Sequence, residues 1–243
     1  MTTATMRSTA RAVARKDIAQ ELRSKVVIAQ ILPFVFVVLL LFGFALDPDA
    51  GLLRAASPGL FWVTLLLVLL LAVQRTYAAE TADGAFDAMR LAGLPPAGVF
   101  LGKFAALVVE LVAVELVMVV GVLVLYDPTG PSAGAPAFHW TLARVALLLA
   151  TLATATPGLA AIGTLQGALS AGTRARDTLL PLLVLPVVVP ALIGATRAMQ
   201  AALGINGRST AEGWPWIGLL VVFALAVVAA GIVAFGPLME PDG

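Results

Sequence analysis

Six runs of apolar residues, five long enough to cross a bilayer and a second, shorter one that nearly is, constrain this chain more than any other feature. They cover residues 26–46, 58–73, 103–125, 142–169, 178–196 and 214–238. A hydrocarbon core of about 30 Å is spanned by roughly 20 apolar residues in a helix. Membrane-barrel strands run to about ten residues and alternate in polarity, which these runs do not. In lipid every backbone donor and acceptor needs a partner within the protein, and a continuous helix supplies one. The sequence therefore predicts an all-α integral membrane protein with six transmembrane helices. Its composition agrees, with 60% apolar and 12% charged residues, against about 45–50% and about 25% in soluble domains. A soluble enzyme, a secreted disulfide scaffold and a DNA-binding protein are excluded.

The chain has no cysteine and one histidine, His139. Disulfides, thiol nucleophiles, thiolate metal sites and covalent haem attachment are excluded with the cysteines. A net charge of +1 offers no field for nucleic acid.

The 15 lysines and arginines set the orientation. Eleven fall on one side: Arg7, Arg11, Arg15, Lys16, Arg23 and Lys25 in the tail, Arg75, Arg90 and Lys103 after the second run, Arg174 and Arg176 after the fourth. Four, Arg54, Arg144, Arg197 and Arg208, fall on the other. The positive-inside rule then places both termini in the cytoplasm. The first run is read as a permanent span, because its apolar core is longer than that of a signal peptide. The expected organisation is a cytoplasmic interfacial helix over 1–25, a six-span domain over 26–238 with a cytoplasmic loop at 74–102, and a short cytoplasmic tail at 239–243.

Within the tail, Ala14, Ile18 and Leu22 recur every four residues, with Lys16, Gln20 and Arg23 opposite. That pattern predicts an amphipathic helix on the inner leaflet. In the loop after the second run, Phe86, Met89 and Arg90 share a helical face, and Gly93, Pro95 and Pro96 end the helix. A short helix with apolar knobs and flanking charges suits docking to a partner's groove; an ordinary polar loop has the same composition.

The third run carries Lys103, placed at the cytoplasmic end within reach of headgroups, and Glu110 and Glu115 deeper. An acid at a span centre costs on the order of 2–3 kcal/mol on insertion scales, so each glutamate should face protein, water or a partner. Five residues of separation puts them about 140° apart around the helix, so they form no carboxylate dyad. A polar lining or proton site and a pair of acids satisfied between helices are both open. Gly163 and Gly167 form a small-xxx-small face for close packing. Pro181, Pro186 and Pro190 predict a bent or locally broken fifth span. His139 beside Trp140 reads as a polar residue next to an interfacial anchor.

Two stretches carry a resemblance. Arg75, Glu80 and Asp83-Gly84, followed by Leu101-Gly102-Lys103, resemble the coupling region of export-type ABC permeases. The run Ala171-Gly172-Thr173-Arg174-Ala175-Arg176, followed by the ladder Pro181, Pro186 and Pro190, resembles the CcmB family. That family is the permease subunit of the cytochrome c maturation system, historically called the haem exporter. Lys16-Asp17 with Glu21-Leu22-Arg23, and Val114-Glu115-Leu116, are also similar to it. Phe223-Ala224-Leu225 departs from it, lacking the acid expected after the phenylalanine.

The resemblance implies a non-catalytic membrane subunit in the bacterial inner membrane. A separate ABC ATPase would supply ATP hydrolysis, since this chain has no phosphate-binding G-x-x-x-x-G-K-[ST] stretch. It implies a second copy of the chain, a haem-handling membrane subunit, a small single-helix subunit and a periplasmic haem chaperone. It implies no cofactor on this chain, with ATP on the partner and haem within the complex. Arg75, Glu80, Asp83, Gly84, Phe86, Met89 and Lys103 become the ATPase-coupling set, with Thr173, Arg174 and Arg176 in the second cytoplasmic loop. A permease for another cargo, or an ion-coupled transporter using Glu110 and Glu115, are the competing expectations.

Overall fold

A computed structural model describes residues 5–46, 50–82, 84, 88–89, 91–130, 138–170 and 176–239. The helices are α1 (Met6–Ser24), α2 (Leu32–Leu46), α3 (Ala50–Ala82), α4 (Pro96–Leu125), α5 (Leu142–Ser170), α6 (Arg176–Ala202) and α7 (Trp214–Met239). Six segments are long and apolar enough to cross a membrane, and no strand occurs among the described residues. This is an all-α, multi-pass membrane architecture.

The second span is much longer than the 58–73 read from hydropathy. Arg54 and Ser57 interrupt the apolar run but not the helix, because each is satisfied locally. Pro58 has no N–H to offer the carbonyl of Arg54, four residues back. The Ser57 hydroxyl takes that carbonyl instead, at 2.8 Å. Arg54 itself pairs with Asp127 at 3.4 Å. At 33 residues, α3 is about 50 Å long, so both ends project beyond the hydrocarbon. The fifth span also differs from expectation: α6 stays helical through Pro181, Pro186 and Pro190. Pro186 and Pro190 lie on its exposed side, while Val188 and Ala191 face the core.

Helix α3 runs through the middle of the bundle and buries Phe61, Trp62, Leu65 and Leu69 completely. The glycine face expected on α5 does pack closely. A Cβ on Gly163 would stand 2.7 Å from Leu69 Cδ1 and 2.9 Å from Val73 Cγ2, and Gly167 meets the Tyr77 ring. Two backbones held this close make dispersion contacts along the whole seam, which is the main attraction available between helices in lipid.

Helix α1 forms as expected, with a Thr5–Ser8 capping box at its start. Leu22, in the stripe expected to lie on the leaflet, is 74% exposed, and that stripe is not the face packed on the bundle. Thr9 and Val13 are buried instead, and α1 runs beside the first half of α4. A Cβ on Gly98 would lie 2.8 Å from Thr9 Cβ, and one on Gly102 2.6 Å from Val13 Cβ. Gly98-Val99-Phe100-Leu101-Gly102 is thus a groove that accepts small and β-branched residues. The apolar period of the tail was legible in the sequence; the face used is set by the shape of α4.

After Ser24 the chain turns at Lys25, in the left-handed region with φ 54°, and enters a π-helical turn at Val27–Ile31 before α2. This elbow redirects the chain from the seam with α4 into the first span.

Candidate functional site

Charged residues from three elements meet at this elbow. Arg75 leaves α3 near its C-terminal end, and its Nη2 donates to Glu21 Oε2 on α1 and to Glu110 Oε1 on α4, each at 2.7 Å. The other oxygen of Glu21, Oε1, accepts from the Val27 N–H at 3.1 Å and so caps the elbow. One guanidinium therefore joins the tail helix to the second and third spans. Its Nη2 carries two N–H donors, which lets that one nitrogen serve two carboxylates at once.

A second group lies one α1 turn earlier. Asp17 pairs with Lys16 at 3.0 Å and with Lys103 at 3.6 Å. Lys103 also sits over the Tyr77 ring, 5.0 Å from its centre. Tyr77 donates its hydroxyl to the Thr164 carbonyl of α5 at 2.8 Å. Lys103 was expected at the surface, reaching for headgroups. It is buried instead, 3% exposed, because α1 covers it and brings an acid to it. A buried ammonium without such company would be prohibitively costly.

The expected coupling set is thus divided. Arg75 and Lys103 belong to this inter-helix network together with Asp17 and Glu21. Arg23 is exposed on the outer face of α1, and Glu80 lies in the last turns of α3. Gly84 forms a turn with φ 64°. Met89 packs half-buried against the core, while Leu91, 89% exposed, is the large apolar side chain presented outward among the described residues of the segment. Asp83, Phe86, Thr173 and Arg174 lie outside the described residues; Arg176 begins α6.

Glu110 and Glu115 do occupy different settings. Glu110 belongs to the Arg75 network, whereas Glu115, 2% exposed, accepts the Thr156 hydroxyl of α5. The two do not combine into one carboxylate site. Glu115→Gln keeps a hydrogen-bonding side chain of the same shape and is expected to leave the melting temperature in detergent near wild type. Glu115→Leu leaves the Thr156 hydroxyl buried without that acceptor and should cost about 1–3 kcal/mol. Equal melting of the two variants would argue against an interhelical tie.

At the opposite end, Arg144 covers the Phe138 ring at 4.8 Å and donates to the Ala202 carbonyl at 3.3 Å. His139 is exposed between Phe138 and Trp140, whose rings meet edge to face. Among the described residues no three His, Cys, Asp or Glu side chains cluster as metal ligands.

Sequence reasoning missed the Gly98–Gly102 groove and the role of Tyr77. The first was visible as a literal small-xxx-small pair. The second depended on knowing that α3, α4 and α5 adjoin.

The chain matches the family description CcmB protein over residues 8–239. It is 31% identical to Heme exporter protein B of Paracoccus denitrificans over 84% of this chain and 85% of that one. The protein of the same name from Pseudomonas aeruginosa is 31% identical, covering 85% and 86% of the two chains. That of Escherichia coli K12 is 31% identical, covering 89% and 94%.

Proposed function

From the premise that the chain belongs to the CcmB family, we propose that it is the permease subunit of an ATP-driven complex for cytochrome c maturation in the bacterial inner membrane. A separate ABC ATPase hydrolyses ATP. The permease couples that hydrolysis to haem export or to release of the haem-loaded periplasmic chaperone. Both termini lie in the cytoplasm, where eleven of the 15 cationic residues are assigned. Two copies of the chain, two ATPase subunits, a haem-handling membrane subunit and a small single-helix subunit make up the complex. The chain carries no catalytic residue of its own and binds no cofactor.

The observation that supports coupling is the bond from Arg75 to both Glu21 and Glu110. Helix α3 continues past Arg75 to Ala82, where the cytoplasmic loop begins. A push on that loop moves the end of α3. Arg75 passes the movement at once to α1 and α4, because ion pairs of 2.7 Å do not slide freely. The spans then change between two packings with different affinity for partners at the far face.

The exposed knob is tested by Leu91→Glu. It should abolish co-purification of the ATPase and leave the chain's level in the membrane unchanged, as should Phe86→Glu. Met89→Glu should also lower the level, since Met89 packs on the core. Full ATPase recruitment by the Leu91 variant would remove this segment as the docking element.

The reading as a whole is tested by purifying the tagged chain from native membranes in mild detergent and identifying its companions by mass spectrometry. An ATPase with haem-handling partners is the expected result. An ATPase with other companions would keep the permease and discard haem. No ATPase at all would overturn the coupling scheme and return attention to Glu110 and Glu115.

A further inference from the structure

The elbow encloses a cavity of about 420 Å³ between α1, the π-helical turn, α3 and α4. Nothing in the coupling scheme requires a space there. Its polar lining carries both signs of charge: Asp17, Glu21 and Glu110 against Lys25, Arg75 and Lys103. Its apolar lining includes Leu22, Ile28 and Val109, which are 74%, 67% and 50% exposed. These three exposed side chains form the lips of the cavity.

We propose that this cavity binds the headgroup of a zwitterionic aminophospholipid, with its acyl chains leaving past the lips. The balance of charge selects the class. A purely anionic headgroup would face three carboxylates, and a simple cation three bases. A zwitterion satisfies both sets. Its ammonium goes to Glu21 and Glu110, which share one guanidinium between two carboxylates. Its phosphodiester goes to Lys25 at the rim. The position agrees, since the first apolar span starts at Val27, beside the cavity. The lips agree as well: exposed leucine, isoleucine and valine beside buried charge suit a molecule with a charged head and apolar tails. A lipid held here would stiffen the joint between α1 and the first span.

The test is native mass spectrometry of the complex, purified in mild detergent and exchanged into nanodiscs of phosphatidylethanolamine mixed with phosphatidylglycerol. One phosphatidylethanolamine per chain should survive detergent washing. Ala113→Phe and Val109→Phe, both at exposed positions in the cavity wall, should reduce that adduct about tenfold, the effect of about 1.4 kcal/mol in binding. Both variants should keep the wild-type level and companions, which separates loss of the lipid from loss of fold or partners. Equal adducts in wild type and both variants would place the lipid elsewhere and overturn the proposal. So would preferential retention of phosphatidylglycerol, a cavity filled by a segment of a companion subunit, or no retained lipid. Binding of glycerophosphoethanolamine as tightly as the intact lipid would show a headgroup site without a lipid.

Discussion

Gly102→Leu is expected to detach α1 from the bundle and abolish activity. A Cβ at this position would stand 2.6 Å from Val13 Cβ and 2.7 Å from the Ala10 carbonyl oxygen. The second atom is backbone, so no change of rotamer relieves the contact. Overpacking of this kind typically costs 1–3 kcal/mol, and roughly more where backbone must move. Detachment would also remove Asp17 from Lys103 and Glu21 from Arg75, leaving charges buried that now have partners. The two losses share one cause and should not add as independent terms. Trypsin on vesicles with the cytoplasmic face outward should cut at Arg11 and Arg15 much faster than in wild type. Mature c-type cytochrome should fall to background in cells dependent on the variant. Gly102→Ala should show the same changes in milder form, and Val13→Ala should not restore it, because the Cβ at position 13 and the Ala10 carbonyl oxygen both remain. Wild-type protease resistance together with full cytochrome output from Gly102→Leu would show that the seam is dispensable.

Arg75→Met is expected to have the second large effect. The substitution keeps the length and much of the volume of the side chain but removes the one cation shared by Glu21 and Glu110. The Glu110 side chain is 9% exposed and that of Glu21 23%, so water reaches one acid better than the other. Removing one partner of a buried pair commonly costs about 3–5 kcal/mol, and partial exposure here places the expectation near the lower end. That is a large share of a typical folding stability of about 5–15 kcal/mol. Arg75→Lys should recover only part of the loss, because the ammonium ends one bond short of Nη2 and is more strongly hydrated than a guanidinium. The double variant Arg75→Met with Glu110→Gln should be more stable than Arg75→Met alone, since the stranded charge is gone. Under the proposed coupling it should still fail to support cytochrome maturation, because the joint between α1, α3 and α4 is also gone. Thermal unfolding in detergent measures the first expectation and cytochrome output the second. A double variant no more stable than the single would show that charge was not the cause.

Membrane architecture is the part of this protein most directly legible in its residues. The six apolar runs needed only length and hydropathy, because lipid leaves a chain few ways to satisfy its backbone. The Gly163–Gly167 seam was readable for a related reason: lipid rewards close packing, and glycine permits it. The second span was read too short, because hydropathy stops at Arg54 and Ser57 whereas helical hydrogen bonding does not. Met89 was read as an outward knob because helical spacing gives a face but not its direction.

The charged network marks the boundary between the two kinds of information. Lys103 and Glu110 were conspicuous in the sequence as charges in an apolar run, and Arg75, Asp17 and Glu21 through the family resemblance. Their partners were not, since Glu21 and Arg75 are separated by 54 positions along the chain and Arg75 and Glu110 by 35. The sequence by itself determined that such charges need company, because a charge in a low-dielectric interior must be paired or hydrated. Only the tertiary structure decided which company, because the Gly98–Gly102 groove draws α1 alongside α4 and the elbow at Lys25 brings Glu21 to Arg75. That choice is made by shape and close packing, interactions too short in range to be read from one strand of sequence.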